Sequence, residues 1–209
     1  MLGMYPGDPG PPGGDCAGVV VAAGRPVPGG PSHTIGQAVF GLASGCLGSH
    51  VLASAHTLVP MPWCLSFEAA STMPTVFVTV DAALHQAARM QRGERVLVHA
   101  AAGGVGLAAV QIINASGATA LATAGGPAKR GLLRSLGVGH MASSRDLEFV
   151  DTFAPLGGAD IVLNTLTSSG MVAASLAALG SGGRFVEISK RDIWSRARML
   201  QGTCCFLIK

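Results

Sequence analysis

One twelve-residue segment, Arg95–Gly106, constrains the fold of this chain more than any other. Its sequence, RVLVHAAAGGVG, joins a short β-branched run to a turn of small residues. The apolar stretch Val105–Ile113 follows and predicts a buried helix. A strand, a glycine-rich turn and a helix in this order direct the N–H groups of a helix N-terminus at a pyrophosphate. The segment therefore predicts a βα unit of a parallel sheet.

The spacing of small residues in this turn fits a dinucleotide-binding fingerprint, which requires them at i, i+2 and i+5. Ala101 suits the tight turn, Gly103 lets the backbone approach phosphates, and Gly106 lets the helix pack closely on the strand. Gly104 and Val105 complete the predicted cofactor-binding turn. An ordinary βα loop can show the same spacing, but the flanking strand and helix favour a nucleotide site. No phosphate-binding G-x-x-x-x-G-K-[ST] loop occurs in the sequence.

The next strand, predicted over Thr119–Ala124, narrows the choice of cofactor. A site for NAD places an acidic residue near its end to bind the ribose 2′-hydroxyl, but no acid follows here until Asp146. Lys129 and Arg130 come instead, at the start of a helix predicted over Pro127–Leu136. Two cations without a carboxylate favour the 2′-phosphate of NADP(H). The alternative is that both side chains merely solvate a helix face.

The alternation of strands and helices continues along the chain. Ile161–Asn164 and Arg184–Ile188 predict strands, and Ser168–Leu179 predicts a helix between them. This pattern predicts an α/β fold with a doubly wound parallel sheet, in which ligands bind beyond the carboxyl ends of the strands. Three polar residues follow strand ends and are candidate site residues by position: Asn164, Ser189 and Lys190.

The N-terminal part of the chain has a different amino-acid composition. Residues 1–74 are rich in Gly and Pro and contain short apolar runs that predict an irregular, barrel-like β region. These runs are Gly18–Ala22, Gln37–Leu42 and Val51–Ala53. A long apolar helix is predicted over Met73–Ala88. We therefore expect two domains, residues 1–74 as an irregular, barrel-like β domain and residues 75–209 as the nucleotide-binding domain with its linking helix.

Composition excludes several classes of function. The net charge is only +3 and aromatic residues make up 5%, so a nucleic-acid-binding surface is not expected. No charged residue lies between Arg25 and Glu68, but Pro, Gly, Ser and His interrupt this stretch too often for a membrane span. No signal peptide is evident. Five cysteines without a C-x-x-C pair predict reduced thiols and a cytoplasmic location.

A metal site is not expected either. The six histidines form no H-x-x-x-H or H-E-x-x-H pattern. His99, at the end of the first predicted strand of the sheet, is interpreted as a core or loop-facing histidine rather than a ligand.

Taken together, these segments resemble the medium-chain dehydrogenase/reductase superfamily without zinc, and more narrowly the enoyl reductase domains of polyketide and fatty acid synthases. The resemblance implies a Rossmann-type doubly wound sheet plus a partial GroES-like β-barrel. In zinc-dependent relatives a G-H-E motif carries a metal ligand, and Gly14–Cys16 stands at its place here without a histidine. The matching segments are Leu2–Gly7, Gly14–Gly18, Ala69–Leu84, Gly93–Gln111, Lys129–Arg130, Ser144–Arg145, Leu163–Leu166 and Gly183–Ile193.

The reaction implied by the resemblance is the NADPH-dependent reduction of an α,β-unsaturated acyl thioester on an acyl carrier protein. Lys190 matches the family's proposed proton donor, and Asp192 would orient or pair it. Thr79 and Asn164 fall where the family lines the nicotinamide and ribose pocket. Ser189 stands where a glycine usually meets the nicotinamide carboxamide.

The ends of the chain leave other functions open. Compared with the family, we expect the cofactor half to be nearly complete, with Cys204–Ile208 as its last strand, and the substrate half to be truncated at both ends. The partners implied are the carrier-bound substrate and neighbouring synthase domains. One alternative is a free-standing quinone or enone oxidoreductase. Another is a degenerate domain that binds NADPH without turnover.

Overall fold

The computed structural model describes residues 10–25, 28–190, 194, 195 and 198. The chain divides into two compact units, Met1–Val78 and Thr79–Lys209. The roles expected for the two parts of the chain, substrate binding and nucleotide binding, remain predictions.

The first unit contains a three-stranded antiparallel sheet in the order β1-β2-β3. Its strands are β1 (Asp15–Val19), β2 (Ala38–Leu42) and β3 (Leu58–Pro60). The β run predicted at Val51–Ala53 is wrong, because those residues form no strand and pairing with β2 begins only at Leu58. A 3₁₀ turn, capped by the hydroxyl of Ser54, comes directly before β3 and redirects the chain into the sheet.

Three helical segments follow: α1 (Phe67–Ala70), α2 (Pro74–Asp81) and a π-helical turn (Ala82–Ala87). The single helix predicted over Met73–Ala88 is thus divided. In this turn the Asp81 carboxylate contacts Nδ1 of His85 at 2.8 Å and accepts from Nε2 of Gln86 at 3.0 Å. Side chains four and five positions along the chain thereby reach the same carboxylate.

The second unit contains a five-stranded parallel sheet in the order β6-β5-β4-β7-β8. The first strand of this sheet, β4, lies in its middle. The next two strands, β5 and β6, extend the sheet to one edge, and β7 and β8 then extend it on the other side of β4. This is the strand order of doubly wound nucleotide-binding folds. The predicted α/β fold class is confirmed. The strands are β4 (Arg95–Val98), β5 (Thr119–Thr123), β6 (His140–Ala142), β7 (Ala159–Asn164) and β8 (Leu179–Glu187).

Helices connect these strands: α3 (Gly104–Ala115), α4 (Pro127–Ser135), α5 (Phe149–Phe153) and α6 (Met171–Ala177). Because parallel crossovers are right-handed, the reversal of winding at β4 puts α3 and α4 on one face of the sheet and α5 and α6 on the other. Leu97 and Leu121 pack with Phe149 and Phe153 on the α5 side. None of the helices in the described residues has both the length and the apolar character needed to cross a membrane.

The boundary between α6 and β8 differs from the prediction. The helix predicted over Ser168–Leu179 ends at Ala177, and β8 begins at Leu179 rather than at Arg184. A bulge separates the pairing of Leu179 from that of Arg184, so the glycines at 180, 182 and 183, which are typical of a turn, lie within the strand. β6 and α5 are too short for their periodicity to predict them. The strand predicted over Cys204–Ile208 lies outside the described residues.

Candidate functional site

The turn that follows β4 is held by β5 through two hydrogen bonds. The N–H of Ala100 donates to Oγ1 of Thr123 at 3.2 Å, and the N–H of Ala101 donates to the Thr123 carbonyl oxygen at 3.0 Å. Ala100 has a φ of 49°, a left-handed conformation that is unfavourable for a residue with a Cβ. The N–H of Gly103 closes the turn on the Ala100 carbonyl at 2.9 Å. These bonds fix the backbone that carries the fingerprint.

The fingerprint glycines serve different purposes. A Cβ at Gly106 would stand 2.5 Å from backbone atoms of Ala101, so only glycine allows α3 to pack on the turn. Gly103 has an ordinary φ of −87°, and a Cβ there would come no closer than 3.3 Å, to the carbonyl oxygen of Ala100. A methyl group at 103 is therefore compatible with the fold only at the cost of a small shift of that oxygen. The missing side chain of Gly103 also leaves the approach to α3 open.

The start of α3 is suited to an anion. Gly104, Val105 and Gly106 form its first turn, where N–H groups have no acceptor within the helix. Gly103 at the N-cap supplies no side-chain cap, and the positive end of the helix dipole lies there. Ala101 and the residues 103–106 are thus brought together at the carboxyl end of β4, as the sequence predicts.

Three cations lie near the end of β5. Lys129 is exposed on the first turn of α4, and Arg130 is half-buried with its Nε donating to the carbonyl oxygen of Ala124 at 3.3 Å. Arg145 approaches from the loop after β6, and its Nε would stand 3.2 Å from a Cβ placed on Gly125. Ser144–Arg145 is among the segments that match the family, but Arg145 is not predicted as a site residue, because the pairing of β6 with β5 is what brings it there.

The ends of β7 and β8 are joined by a carboxylate that the motifs do not single out. Asn164, fully buried, donates from Nδ2 to Oε2 of Glu187 at 2.7 Å. The N–H of Ser189 donates to Oε1 of the same Glu187 at 2.8 Å. Lys190 follows and is exposed. Glu187 therefore fixes Asn164 and Ser189 relative to each other. Through Ser189 it also fixes the start of the segment that carries Lys190.

Most predicted site residues lie along one edge of the parallel sheet. β5, β4, β7 and β8 are neighbours, so the turns and helices that begin at their carboxyl ends lie side by side. Thr79 is half-buried on α2. Asp192 lies outside the described residues.

His99 is buried at the end of β4, with 1% of its surface exposed. Its Nδ1 lies 3.1 Å from Oγ1 of Thr123, its Nε2 lies 2.8 Å from Oγ of Ser175, and the Phe149 ring packs edge-on against it at 4.9 Å. Burial lowers the pKa of His99 from 6.5 to about 4, so the ring is neutral at physiological pH. The interpretation of His99 as a core histidine is confirmed.

The segment that stands in place of a metal-ligand motif has other partners. Oδ1 of Asp15 accepts from the N–H and the hydroxyl of Thr75, both at 2.7 Å, and so caps the start of α2. Burial raises the pKa of the Cys16 thiol to about 11. Within the part of the chain that the structure describes, no three His, Cys, Asp or Glu side chains are grouped to hold a metal ion. That the site uses no metal remains a prediction.

A second constellation has the residue types of a hydrolase triad. Nδ1 of His85 lies 2.8 Å from Asp81, and its Nε2 lies 3.4 Å from Oγ of Ser116. However, Ser116 caps the C-terminus of α3, the negative end of the helix. The N–H groups of Ser116, Gly117 and Ala118 all donate to carbonyls of α3 and are not available to an oxyanion. These three N–H groups therefore provide no oxyanion site of the kind that acyl transfer requires.

Comparison with known proteins places this architecture in a family. The family described as zinc-binding dehydrogenase matches residues 104–198. The spectinabilin polyketide synthase system protein NorB from Streptomyces orinoci is 49% identical over 189 residues, or 90% of this chain and 8% of NorB. The nucleotide-binding subdomain of the enoylreductase domain of PpsC from Mycobacterium tuberculosis is 35% identical, with a TM-score of 0.56, over 65% of this chain and 79% of that one. This chain belongs to the polyketide synthase enoyl reductases.

The CurK enoyl reductase extends the likeness to both units. It matches 90% of this chain with a TM-score of 0.84 and 40% identity, while this chain covers 57% of CurK. The chain therefore spans little more than half of that enoyl reductase and less than a tenth of NorB. The resemblance inferred from the sequence is confirmed.

The buried His99 makes the stability of the fold depend on pH. Its folded pKa of about 4 lies below the ordinary value of 6.5, so between these values the unfolded chain binds a proton that the folded chain does not. We expect the free energy of unfolding to fall by up to about 3 kcal/mol as the pH drops from 6.5 to 4, at 1.36 kcal/mol per pKa unit. The described partners of the ring, Thr123, Ser175 and Phe149, carry no charge that would offset this loss.

Urea unfolding of the wild type and His99→Asn at a series of pH values measures the effect. The variant should lose that part of the pH dependence even if it is less stable throughout. Parallel pH profiles for the two proteins would show that His99 does not titrate differently on unfolding.

Proposed function

We propose that this chain binds NADPH at the carboxyl edge of its parallel sheet and acts in the reduction of a carbon–carbon double bond conjugated to a thioester. The observation that carries the proposal is the corner between Ala101 and α3. There the Gly106 contact seats the helix N-terminus on the turn, and Gly103 leaves its N–H groups open to a pyrophosphate. Membership of the enoyl reductase family supplies the class of reaction.

The cations beside β5 favour NADPH over NADH. The N–H groups at the start of α3 suit the pyrophosphate, and Lys129, Arg130 and Arg145 suit a 2′-phosphate at the end of the neighbouring strand. The family often has a serine hydroxyl where this chain has Gly126. We infer that the Ser144 hydroxyl, which would stand 3.4 Å from a Cβ on Gly125, serves in its place.

The residues at the ends of β7 and β8 would serve the reacting end of the cofactor. When bound, NADPH would supply a hydride to the β-carbon of the substrate. The negative charge that then develops on the thioester oxygen requires a nearby cation, and the α-carbon requires a proton. An exposed Lys190 ammonium can supply both. Glu187 holds Asn164 and the Ser189 backbone, and thereby fixes the start of the segment that carries Lys190.

The proposed substrate and neighbouring domains are inferred from the family. We propose that the acyl chain is carried by an acyl carrier protein and that neighbouring synthase domains surround this one, since NorB is a polyketide synthase system protein. Cys16, Cys46 and Cys64 are free thiols, which suits the proposed cytoplasmic location.

The first test is Gly103→Ala. Because φ at 103 is ordinary, we expect the variant to fold, with a modest fall in melting temperature from the poorer N-cap and the close contact with the Ala100 oxygen. The new methyl group should weaken NADPH binding about tenfold or more, or about 1.4 kcal/mol. Titration of NADPH fluorescence measures the dissociation constant. Gly131→Ala, at an open position on α4, is the matched control and should leave binding unchanged. If Gly103→Ala binds NADPH as tightly as the wild type, the pyrophosphate does not bind at the start of α3.

The second test concerns the choice of cofactor. Lys129→Ala and Arg130→Ala should each raise the dissociation constant for NADPH about tenfold, the value of one charge-assisted hydrogen bond, and leave that for NADH nearly unchanged. Arg134→Ala removes an exposed cation from the last turn of the same helix and serves as the control. Equal weakening for both cofactors would contradict the 2′-phosphate assignment.

The third test addresses turnover by following NADPH oxidation with a crotonyl thioester. Lys190→Ala should lower kcat by about a hundredfold, in the range of general acid catalysis, with little effect on NADPH affinity. Lys190→Arg keeps the charge but donates a proton poorly, and should restore little of kcat. Unchanged kcat in Lys190→Ala would rule out its role. If the wild type oxidises NADPH only with quinones, the chain is a quinone reductase. If it binds NADPH without turnover, it is a degenerate binding domain, and in both cases the proposed reaction is wrong.

A further inference from the structure

The hydrogen bonds around His99 have only one consistent direction. Oγ of Ser175 lies 2.6 Å from the Met171 carbonyl oxygen, one helical turn back, so the single proton of this hydroxyl is donated there. Ser175 must then accept from Nε2–H of His99 at 2.8 Å. In a neutral ring, Nδ1 is left as an acceptor and receives the Thr123 hydroxyl proton at 3.1 Å.

The same Thr123 hydroxyl contacts the turn. With its proton donated to His99, its oxygen accepts from the N–H of Ala100 at 3.2 Å. Ala100 is the residue with the positive φ. The backbone of His99 is held from the opposite side of β4, because its N–H donates to Leu163 at 3.3 Å and its carbonyl accepts from the hydroxyl of Thr165 at 3.2 Å. The ring of His99 thus fixes the orientation of the hydroxyl that holds the unfavourable Ala100 conformation.

We propose that His99 is a positioning residue for the cofactor turn: it accepts the Thr123 hydroxyl proton, and through Thr123 it holds Ala100 in the conformation that directs α3 at the pyrophosphate. This role rests on the proposed NADPH site. An apolar side chain would fill the same space without the cost of burying a polar ring. The imidazole is the group here that can accept from β5 and donate to α6 at once.

Two substitutions separate positioning from packing, because Asn and Gln each retain one half of the imidazole. His99→Asn places an amide oxygen where Nδ1 was and can still accept from Thr123. His99→Gln reaches the position of Nε2 and can still donate to Ser175, but leaves Thr123 without its acceptor. Both should lower the melting temperature. Only His99→Gln should weaken NADPH binding, by about tenfold.

A second set of variants tests the same path without changing His99. Thr123→Val removes the hydroxyl and should weaken NADPH binding about tenfold, whereas Thr123→Ser keeps the hydroxyl and should restore it. Ser175→Ala breaks the bond on the α6 side and should lower stability with NADPH affinity near that of the wild type. These variants keep the test decisive if the His99 variants fold poorly.

Hydrogen exchange provides a readout that does not depend on the cofactor. In the intact chain without NADPH, residue-resolved exchange of the Ala100 and Ala101 amides should accelerate in His99→Gln and Thr123→Val. It should stay close to the wild type in His99→Asn and Ser175→Ala.

The outcomes are distinct. The proposal is wrong if, across all five variants, NADPH affinity and amide exchange change only in proportion to the loss of melting temperature. His99 would then be a packing residue. If the variants show the expected exchange pattern but the wild-type protein binds no NADPH, the role of His99 in holding the turn is supported and the proposed cofactor site is refuted.

Discussion

The contact between Gly106 and Ala101 determines where α3 can begin. It brings the backbone of the helix against the backbone of the turn, at a distance that any Cβ would prevent. Thr123 then holds the other side of the turn with its hydroxyl and its carbonyl. Since β4 lies between β5 and β7, where the winding of the sheet reverses, this single junction sets the crevice in which ligands of such sheets bind.

Backbone features of the site were accessible from sequence because they depend on local residue types. The small residues at 101, 103 and 106 predict the geometry of the turn, whereas the ribose contact inferred from the missing acid after β5 remains a prediction. Each inference needs only neighbours along the chain. The apolar runs of β4, β5 and β7 similarly predict buried parallel strands, since both faces of these strands are covered.

Other features depend on which strands become neighbours and could not be predicted. Glu187 joins Asn164 to Ser189 only because β8 pairs with β7, and Arg145 reaches Gly125 only because β6 pairs with β5. The early start of β8 depends on a bulge opposite β7. The π-helical turn after Asp81 interrupts the long predicted helix, and the apolar periodicity of that segment does not reveal it.

The hydrogen bonds from Ala100 through Thr123, His99 and Ser175 to Met171 all run in one direction. Each hydroxyl has one proton to give, so no member can reverse its bond alone. Positions 99, 123 and 175 are therefore coupled through these hydrogen bonds. A lineage that replaces the imidazole leaves two buried hydroxyls in need of new partners, and we expect the three positions to change together among relatives that keep this turn.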